Sequence, residues 1–223
     1  IPNYIQPPTK YAPNQNFDFT ITTNNVDSLF AVTIPILRGF NSSKISGGLN
    51  MASKKLTLKA SVPHAAIGNF NLYNISLLGQ GDFDALGLTT TVDNVVIGDS
   101  ILNGSLSLTT TVAHDSIAFT IATTSSDTTS SLSLNGQILA HRDSLFLTIL
   151  PSQFYLNQAK WNIAGGSKVV YSDKYLQVTG LNITSGLQKI TAGTELRDNE
   201  RDLVIYTENL DLGQFGTWAG LAA

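Results

Sequence analysis

Hydrophobic and polar residues alternate along most of this chain with a period of two. In the segment KLTLKASV, Leu56 and Leu58 fall on one side, and Thr57 and Lys59 fall on the other. Successive side chains of a β-strand point to opposite faces, so this period predicts strands with one apolar face. The same alternation recurs at Leu106, Leu108, Ile117, Phe119, Ile121, Leu145, Leu147, Ile149, Leu176, Val178, Leu203 and Ile205.

Short polar segments separate these predicted strands. GQGDFDA, AHRDS and RDNERD are rich in the Gly, Asp, Asn and Ser residues that favour turns. Their spacing of roughly 10 to 20 residues is typical of an all-β domain. A helical turn is predicted only in the last residues, GQFGTWAGLAA, because no other segment shows a convincing 3.6-residue period.

The pair Asn135 and Gly136 allows either a tight hairpin or a continuous strand. We favour the continuous strand, which keeps Leu132, Leu134 and Ile138 on one face with Gly136 in line. A glycine at that position permits a sharp bend of the sheet.

Two further glycines affect the register of the predicted strands. At Asn103 and Gly104 a continuous strand is again favoured, because the neighbouring leucines then stay in phase. At Gly180 the alternation slips by one residue, from Val178 to Leu181, which predicts a β-bulge.

An acidic turn followed by an apolar strand recurs as DSLFAVTIP from Asp27, DSIAFTIAT from Asp115 and DSLFLTILP from Asp143. Repetition of this kind suggests a sheet that grows by adding similar hairpins. Residues 1–16, rich in Pro, Asn and Gln, are predicted to be an extended lead-in. Residues 17–223 are predicted to form a single elongated β-sheet module.

Composition narrows the classes of function. Charged residues make up only 13% of the chain and the net charge is -3, without a basic run, which argues against nucleic-acid binding. The chain has no cysteine, which excludes a disulfide framework, a cysteine zinc site and a cysteine nucleophile. It contains no apolar run of about 18 residues. Its start lacks Met and a signal peptide, and is interpreted as a cut fragment or mature form.

Residues that could carry chemistry are sparse. His64, His114 and His141 are expected at strand edges or in turns, without the spacing of metal ligands. Asp82 and Asp84 are interpreted as a polar turn rather than a calcium loop. Neither a nucleophile elbow nor a phosphate-binding loop is present in the sequence. We therefore predict no catalytic residues, no metal site and no cofactor.

The apolar face itself is the remaining candidate site. It could be the core of a closed β-sandwich, or the lining of a groove that stays open to an apolar ligand. Periodicity does not separate these alternatives, because both have the same alternation.

From about Asn50 onward the chain resembles a known family in three segments: LLGQGDFDALGLTTTVDNVVIGDS, LSLNGQILAHRDSLFLTILPSQFYLNQAKWNIAGGSKVVYSDKYLQVTGLNITSGLQKITA and ENLDLGQF. They are similar to the AsmA-like proteins of Gram-negative bacteria, and in particular to the TamB family, the inner-membrane component of the translocation and assembly module. The residues that carry the resemblance are Pro151, Ser152, Phe154, Trp161, Gly180, Leu181 and Ile183.

The resemblance implies a fold, a location and partners. Members of the family are long proteins anchored in the inner membrane that cross the periplasm as a curled β-sheet, or β-taco, with an apolar interior. They are thought to conduct phospholipids towards the outer membrane, and some pair with an outer-membrane barrel protein. We therefore expect an all-β, long, curled antiparallel-type sheet that forms a periplasmic piece of a longer protein. Self-association through open sheet edges is also expected.

The predicted groove binds phospholipid acyl chains through inward apolar residues, with Gly136 and Gly180 allowing curvature. The predicted lining residues are Leu56, Leu58, Leu106, Leu108, Ile117, Phe119, Ile121, Leu132, Leu134, Ile138, Leu145, Leu147, Ile149, Leu176 and Val178. The alternative is a closed β-sandwich or β-solenoid that acts as an adhesin or carbohydrate-binding module through exposed Tyr155, Trp161 and Tyr175.

Overall fold

The computed structural model of the protein describes residues 16–97, 100–102, 105–124, 131–141, 143–156, 158–173, 175–197 and 200–211. These residues form antiparallel β-strands and one short helix, which confirms the predicted all-β class. The chain divides into two compact units, residues 1–126 and 127–223. Its organisation as a single module stays a prediction, and the lead-in up to residue 15 lies outside the described residues.

The first unit consists of nine strands and the helix within the described residues. Their bounds are β1 Asn16–Thr22, α1 Asp27–Thr33, β2 Leu37–Gly39, β3 Lys44–Asn50, β4 Lys55–Ile67, β5 Phe70–Gly81, β6 Ala85–Ile97, β7 Ser100–Leu102, β8 Ser105–Ala113 and β9 Ser116–Thr124.

Antiparallel pairing in the first unit largely follows chain order. The ladder runs β1, β3, β4, β5, β6, β8, β9, while β2 pairs with β4 and β7 pairs with β6. Among its described residues, no ladder joins β1 to β9, so this sheet is open rather than closed on itself. Both β7 and β8 run antiparallel to β6, but the predicted continuity at Asn103 and Gly104 lies outside the described residues.

Helix α1 corrects the prediction for DSLFAVTIP, which was expected to be an acidic turn followed by a strand. Asp27 Oδ2 accepts a hydrogen bond from Asn41 Nδ2 at 2.7 Å. The ring of Phe30 packs edge-on against Phe40, with centroids 5.6 Å apart. A helix of seven residues is marginal by itself. These tertiary contacts therefore outweigh the local alternation.

The second unit contains β10 Leu132–His141, β11 Ser144–Ile149, β12 Ser152–Leu156, β13 Ala159–Ile163, β14 Ser167–Ser172, β15 Tyr175–Thr179, β16 Leu181–Ser185, β17 Gln188–Arg197 and β18 Glu200–Glu208. Strand β10 runs unbroken through Asn135 and Gly136, which confirms the continuous strand rather than a hairpin. The predicted helical turn at the end of the chain lies outside the described residues.

Three long strands of the second unit are each interrupted once. Leu150 and Pro151 separate β11 from β12, residues 164–166 separate β13 from β14, and Gly180 separates β15 from β16. Strand β11 pairs with β10 and β14, whereas β12 pairs with β10 and β13. Strands β14 and β15 pair, as do β13 and β16. Strands β17 and β18 complete the meander.

Candidate functional site

The strands of the first unit present one apolar face. Residues paired directly across antiparallel strands project from the same face of a sheet. Leu56 pairs with Leu49 on one side and with Gly81 on the other. Applied to every strand, this register defines the first apolar face: Phe17, Phe19, Ile21, Ile45, Leu49, Leu56, Leu58, Ala60, Val62, Ile75, Leu77, Leu86, Leu88, Val92, Leu106, Leu108, Val112, Ile117, Phe119 and Ile121.

The opposite face of the same strands is polar. It carries the threonines and serines that alternate with the apolar residues, including Thr109, which pairs with Thr89 and Thr120. Asp18, Lys44, Lys55 and Lys59 also share this face by register. These four charged side chains therefore lie on the opposite side of the sheet from the first apolar face.

Most of the first apolar face is half-buried rather than sealed. Leu58, Leu108 and Phe119 all keep part of their surface in contact with solvent. Val62 and Val92 are its buried large residues, whereas Phe17, on edge strand β1, is 62% exposed. Side chains at the centre of a sandwich core are normally removed from water almost completely. The face therefore has free apolar surface within this unit.

The second unit presents a comparable apolar face. Ile138 is aligned with Leu147, Val169 and Val178 through consecutive pairings. The second apolar face is thereby defined as Leu132, Leu134, Ile138, Ala140, Leu145, Leu147, Ile149, Phe154, Trp161, Ile163, Val169, Tyr171, Leu176, Val178, Leu181, Ile183, Ile190, Ala192, Leu203 and Ile205.

Trp161 anchors this second face. It is fully buried and stacks on Phe154, with centroids 6.1 Å apart and an interplanar angle of 6°. The alternative prediction placed Trp161 among exposed binding aromatics, which its burial corrects. Tyr155 is half-buried, and Tyr175 is 37% exposed beneath the Arg201 guanidinium, 4.3 Å from the ring centroid.

The interruptions in the second unit lie side by side and form a crease across the sheet. We define the crease as Asn135, Gly136, Leu150, Pro151, residues 164–166 and Gly180. Along β11 and β12 the apolar face passes from Ile149 to Ser152, a step of three residues instead of two. The apolar face makes the same step of three at Gly180, from Val178 to Leu181. These two bulges each shift the alternation by one residue and keep the apolar side chains on the same face.

Two buried serines satisfy backbone groups that the crease leaves outside the ladders. Ser152 Oγ donates to Leu150 O at 2.8 Å and accepts from the Asn135 amide at 2.9 Å. Ser167 Oγ donates to Gly180 O at 3.0 Å. Because an unpaired buried backbone group costs as much as a lost hydrogen bond, these hydroxyls stabilise the bend.

All the predicted lining residues lie on one of the two apolar faces. Leu56, Leu58, Leu106, Leu108, Ile117, Phe119 and Ile121 lie on the first face, and Leu132, Leu134, Ile138, Leu145, Leu147, Ile149, Leu176 and Val178 lie on the second. Gly136 lies in line on β10, and Gly180 breaks the strand with φ at 69°. Their role in lining a lipid groove stays a prediction.

Sequence reasoning missed several members of these faces, including Phe19, Ile75, Leu88 and Phe154. In β5 the alternation is disturbed near Asn74, whose φ is 53°. Phe154 follows the bulge at Pro151, so its phase differs from that of the preceding strand. A search for alternation that permits one slip per strand would have found it.

His64 and Asp82 each take part in local hydrogen bonds. His64 was expected at a strand edge but lies inside β4, where its Nε2 is 3.3 Å from Asn71 Oδ1. Asp82 Oδ1 accepts hydrogen bonds from the amides of Ala85 at 2.9 Å and Asp84 at 2.8 Å, and these bonds lower the pKa of Asp82. The carboxylate of Asp82 therefore stabilises the turn between β5 and β6 by accepting these two backbone hydrogen bonds. No group of three potential metal ligands occurs in the described part of the chain.

Within the ranges that the structure describes, no helix combines the length and the apolar character needed to cross a membrane. Comparison with family models, with curated proteins and with solved structures finds no match for this chain.

Proposed function

We propose that this protein is a lipid-conducting module that holds phospholipid acyl chains against its two apolar faces. The observation that supports this function most directly is the incomplete burial of these faces. Phe119, Leu108 and Leu147 have apolar surface left to cover after folding. Asp18, Lys44, Lys55 and Lys59 of the first sheet lie on the other side by register, where they do not oppose hydrocarbon.

Burial of hydrocarbon supplies enough free energy for this task. Each methylene removed from water contributes about 0.8 kcal/mol, so an acyl chain of about 15 methylenes would gain up to about 12 kcal/mol. Successive cross-strand rows on these faces present similar aliphatic side chains. A bound chain would therefore meet nearly equivalent surface as it moves along a face.

The resemblance to the AsmA-like and TamB proteins supports the cellular context of the proposal. By that resemblance the module works in the periplasm as part of a longer protein anchored in the inner membrane. It passes phospholipid towards the outer membrane, where an outer-membrane barrel protein is the expected partner. Chemistry on the lipid is not part of this function.

Site-specific cross-linking to a photoactivatable phospholipid tests the proposal. Phe119→Arg and Leu147→Glu place a charge on an apolar face, where it would have to remain unpaired against hydrocarbon. We expect lipid capture to fall strongly in both variants. Thr109→Arg, on the polar face of the same sheet as Phe119, is the matched control and should retain capture.

The proposal is wrong if Phe119→Arg and Leu147→Glu fold normally by circular dichroism and still capture lipid like the unmodified protein. Glycan binding without lipid capture would instead support the carbohydrate-binding alternative.

A further inference from the structure

An open cavity of about 530 Å³ lies at one end of the first unit, where α1 approaches the β4–β5 hairpin. Its lining combines a carboxylate, a guanidinium, an imidazole and an amide, from Asp27, Arg38, His64 and Asn71. Gly39 forms part of its wall with φ at 85°, and a Cβ there would lie 2.6 Å from His64 O. Glycine is therefore needed to keep this wall in place.

Arg38 links the cavity to the tip of the hairpin. Its Nη2 donates to Gly68 O at 3.1 Å, and the Gly68 amide donates to Ile36 O at 3.0 Å. One hydrogen bond of this side chain is thus committed to the hairpin. A guanidinium has five N–H donors and matches a phosphate bidentately, so Arg38 can hold the hairpin and an anion together.

Asp27 supplies the opposite charge. Its Oδ1 accepts from the Gly39 amide and its Oδ2 from Asn41 Nδ2, each at 2.7 Å. These bonds lower the pKa of Asp27, which keeps the carboxylate charged at neutral pH. A carboxylate has about four acceptor positions, so the remaining ones can receive an ammonium group.

Large apolar side chains surround this end of the unit. We define the apolar tip as Leu29, Val32, Ile34 and Ile36, which are between 49% and 84% exposed. Ile36 lies against the hairpin to which Arg38 is bonded, because its carbonyl accepts a hydrogen bond from the Gly68 amide. A site with separated positive and negative groups beside exposed hydrocarbon matches an amphiphile whose head group carries both charges.

We propose that this cavity binds the head group of a zwitterionic phospholipid, with its phosphate on Arg38, its ammonium on Asp27, and its acyl chains on the apolar tip. The inference rests on the proposed function in taking phospholipid as the ligand class. The inference adds a defined position for the lipid head group, whereas the apolar faces bind hydrocarbon without selecting a head group.

Short-chain phosphatidylethanolamine and phosphatidylglycerol with identical acyl chains test the inference in the intact protein. The two lipids share a phosphate, but only the first carries an ammonium group. We expect the unmodified protein to bind phosphatidylethanolamine about tenfold more tightly, the effect of one charge-assisted hydrogen bond. Equal binding of the two lipids would overturn the inference.

Substitutions at Arg38 and Asp27 test the contribution of each charged group of the site separately. Arg38→Gln should weaken phosphatidylethanolamine binding about tenfold, and Arg38→Lys, which keeps the charge but not the planar fork, should weaken it less. Asp27→Asn should abolish the preference between the two lipids. Lys59→Gln, on the polar face of β4, is the control and should change neither value. Unchanged binding in Arg38→Gln, with folding confirmed by circular dichroism, would overturn the inference.

Two further probes identify the source of the phosphate and keep this inference distinct from the proposed function. Glycerophosphoethanolamine should compete weakly with the lipid, because it lacks acyl chains. Inorganic phosphate that competes as well as the lipid would overturn the lipid assignment.

An alkyl photoprobe without a head group should still label the first apolar face in Arg38→Gln. Failure of that labelling in the unmodified protein would count against the proposed function, whereas loss of head-group preference alone counts against this site.

Discussion

The ring of Pro151 packs directly against Gly165: a Cβ at Gly165 would lie 2.7 Å from Pro151 Cδ and 2.9 Å from its Cγ. Both partners belong to the crease, and neither can move easily, since one is a rigid ring and the other is part of a turn between paired strands. The contact explains why the step between β13 and β14 uses glycine at this position.

Gly165→Ala should therefore destabilise the protein by about 1–3 kcal/mol, the usual cost of forcing an extra methyl group into a close contact. Denaturant unfolding measures the effect. Gly193→Ala is the control, because a Cβ at Gly193 would lie 3.8 Å from its nearest neighbour, Val178 O. Equal stability of the two variants would contradict the packing described for Pro151.

Trp161→Ala should be among the most damaging changes in the second unit. It removes a fully buried ring stacked on Phe154, and such truncations typically cost about 3–5 kcal/mol. The free energy of unfolding measured in urea should show this loss. Leu187→Ala, at a turn residue that is 86% exposed, should stay within about 0.5 kcal/mol of the unmodified protein. A loss below about 1 kcal/mol for Trp161→Ala would mean that the ring is not part of a packed cluster.

Ser167→Ala tests the polar support of the crease. The hydroxyl of Ser167 is 1% exposed and donates to Gly180 O, so its removal should cost about 1 kcal/mol. Amide hydrogen exchange should also become faster at residues that flank Gly180. Ser61→Ala, on the exposed polar face of β4, provides the comparison and should leave exchange unchanged. Identical exchange in both variants would show that the hydroxyl does not hold the bend.

Asp82 should make its turn sensitive to acid. Hydrogen bonds from the Ala85 and Asp84 amides lower the pKa of Asp82 below its ordinary value of 3.8. A group whose pKa is lowered by folding stabilises the folded state above its unfolded pKa, and that contribution is lost as the pH falls through the folded pKa. NMR titration should show the Ala85 amide shifting with a midpoint below pH 3.8. A midpoint above that value would contradict the bonding.

The alternation of residues was sufficient to assign the faces of the strands. Leu56, Leu108 and Leu147 could be placed correctly because each lies in a strand whose period of two is unbroken around it. The slip at Gly180 was also visible, because apolar residues on both sides of it keep their own period. The local pattern of apolar and polar residues is sufficient to assign the faces of a strand that has one solvent-exposed face and one apolar face.

Long-range contacts account for what the sequence did not reveal. Helix α1 has an alternating sequence, yet it is held by Asn41 and Phe40, which lie beyond the local window. The roles of Ser152 and Ser167 depend on backbone groups of other strands, so their own neighbours carry no signal. The Asp27 and Arg38 cavity likewise joins residues of α1, β2, β4 and β5.

Because side chains alternate between the two faces, the number of residues between the bulges at Pro151 and Gly180 and the neighbouring hairpins decides which face each side chain occupies. A single-residue insertion or deletion within β11 or β16 would turn every side chain between the change and the next hairpin to the opposite side. The same change placed at a bulge could be absorbed by remaking the bulge. The lengths of these strands are therefore free to evolve in steps of two, while odd steps are confined to the bulges and the turns.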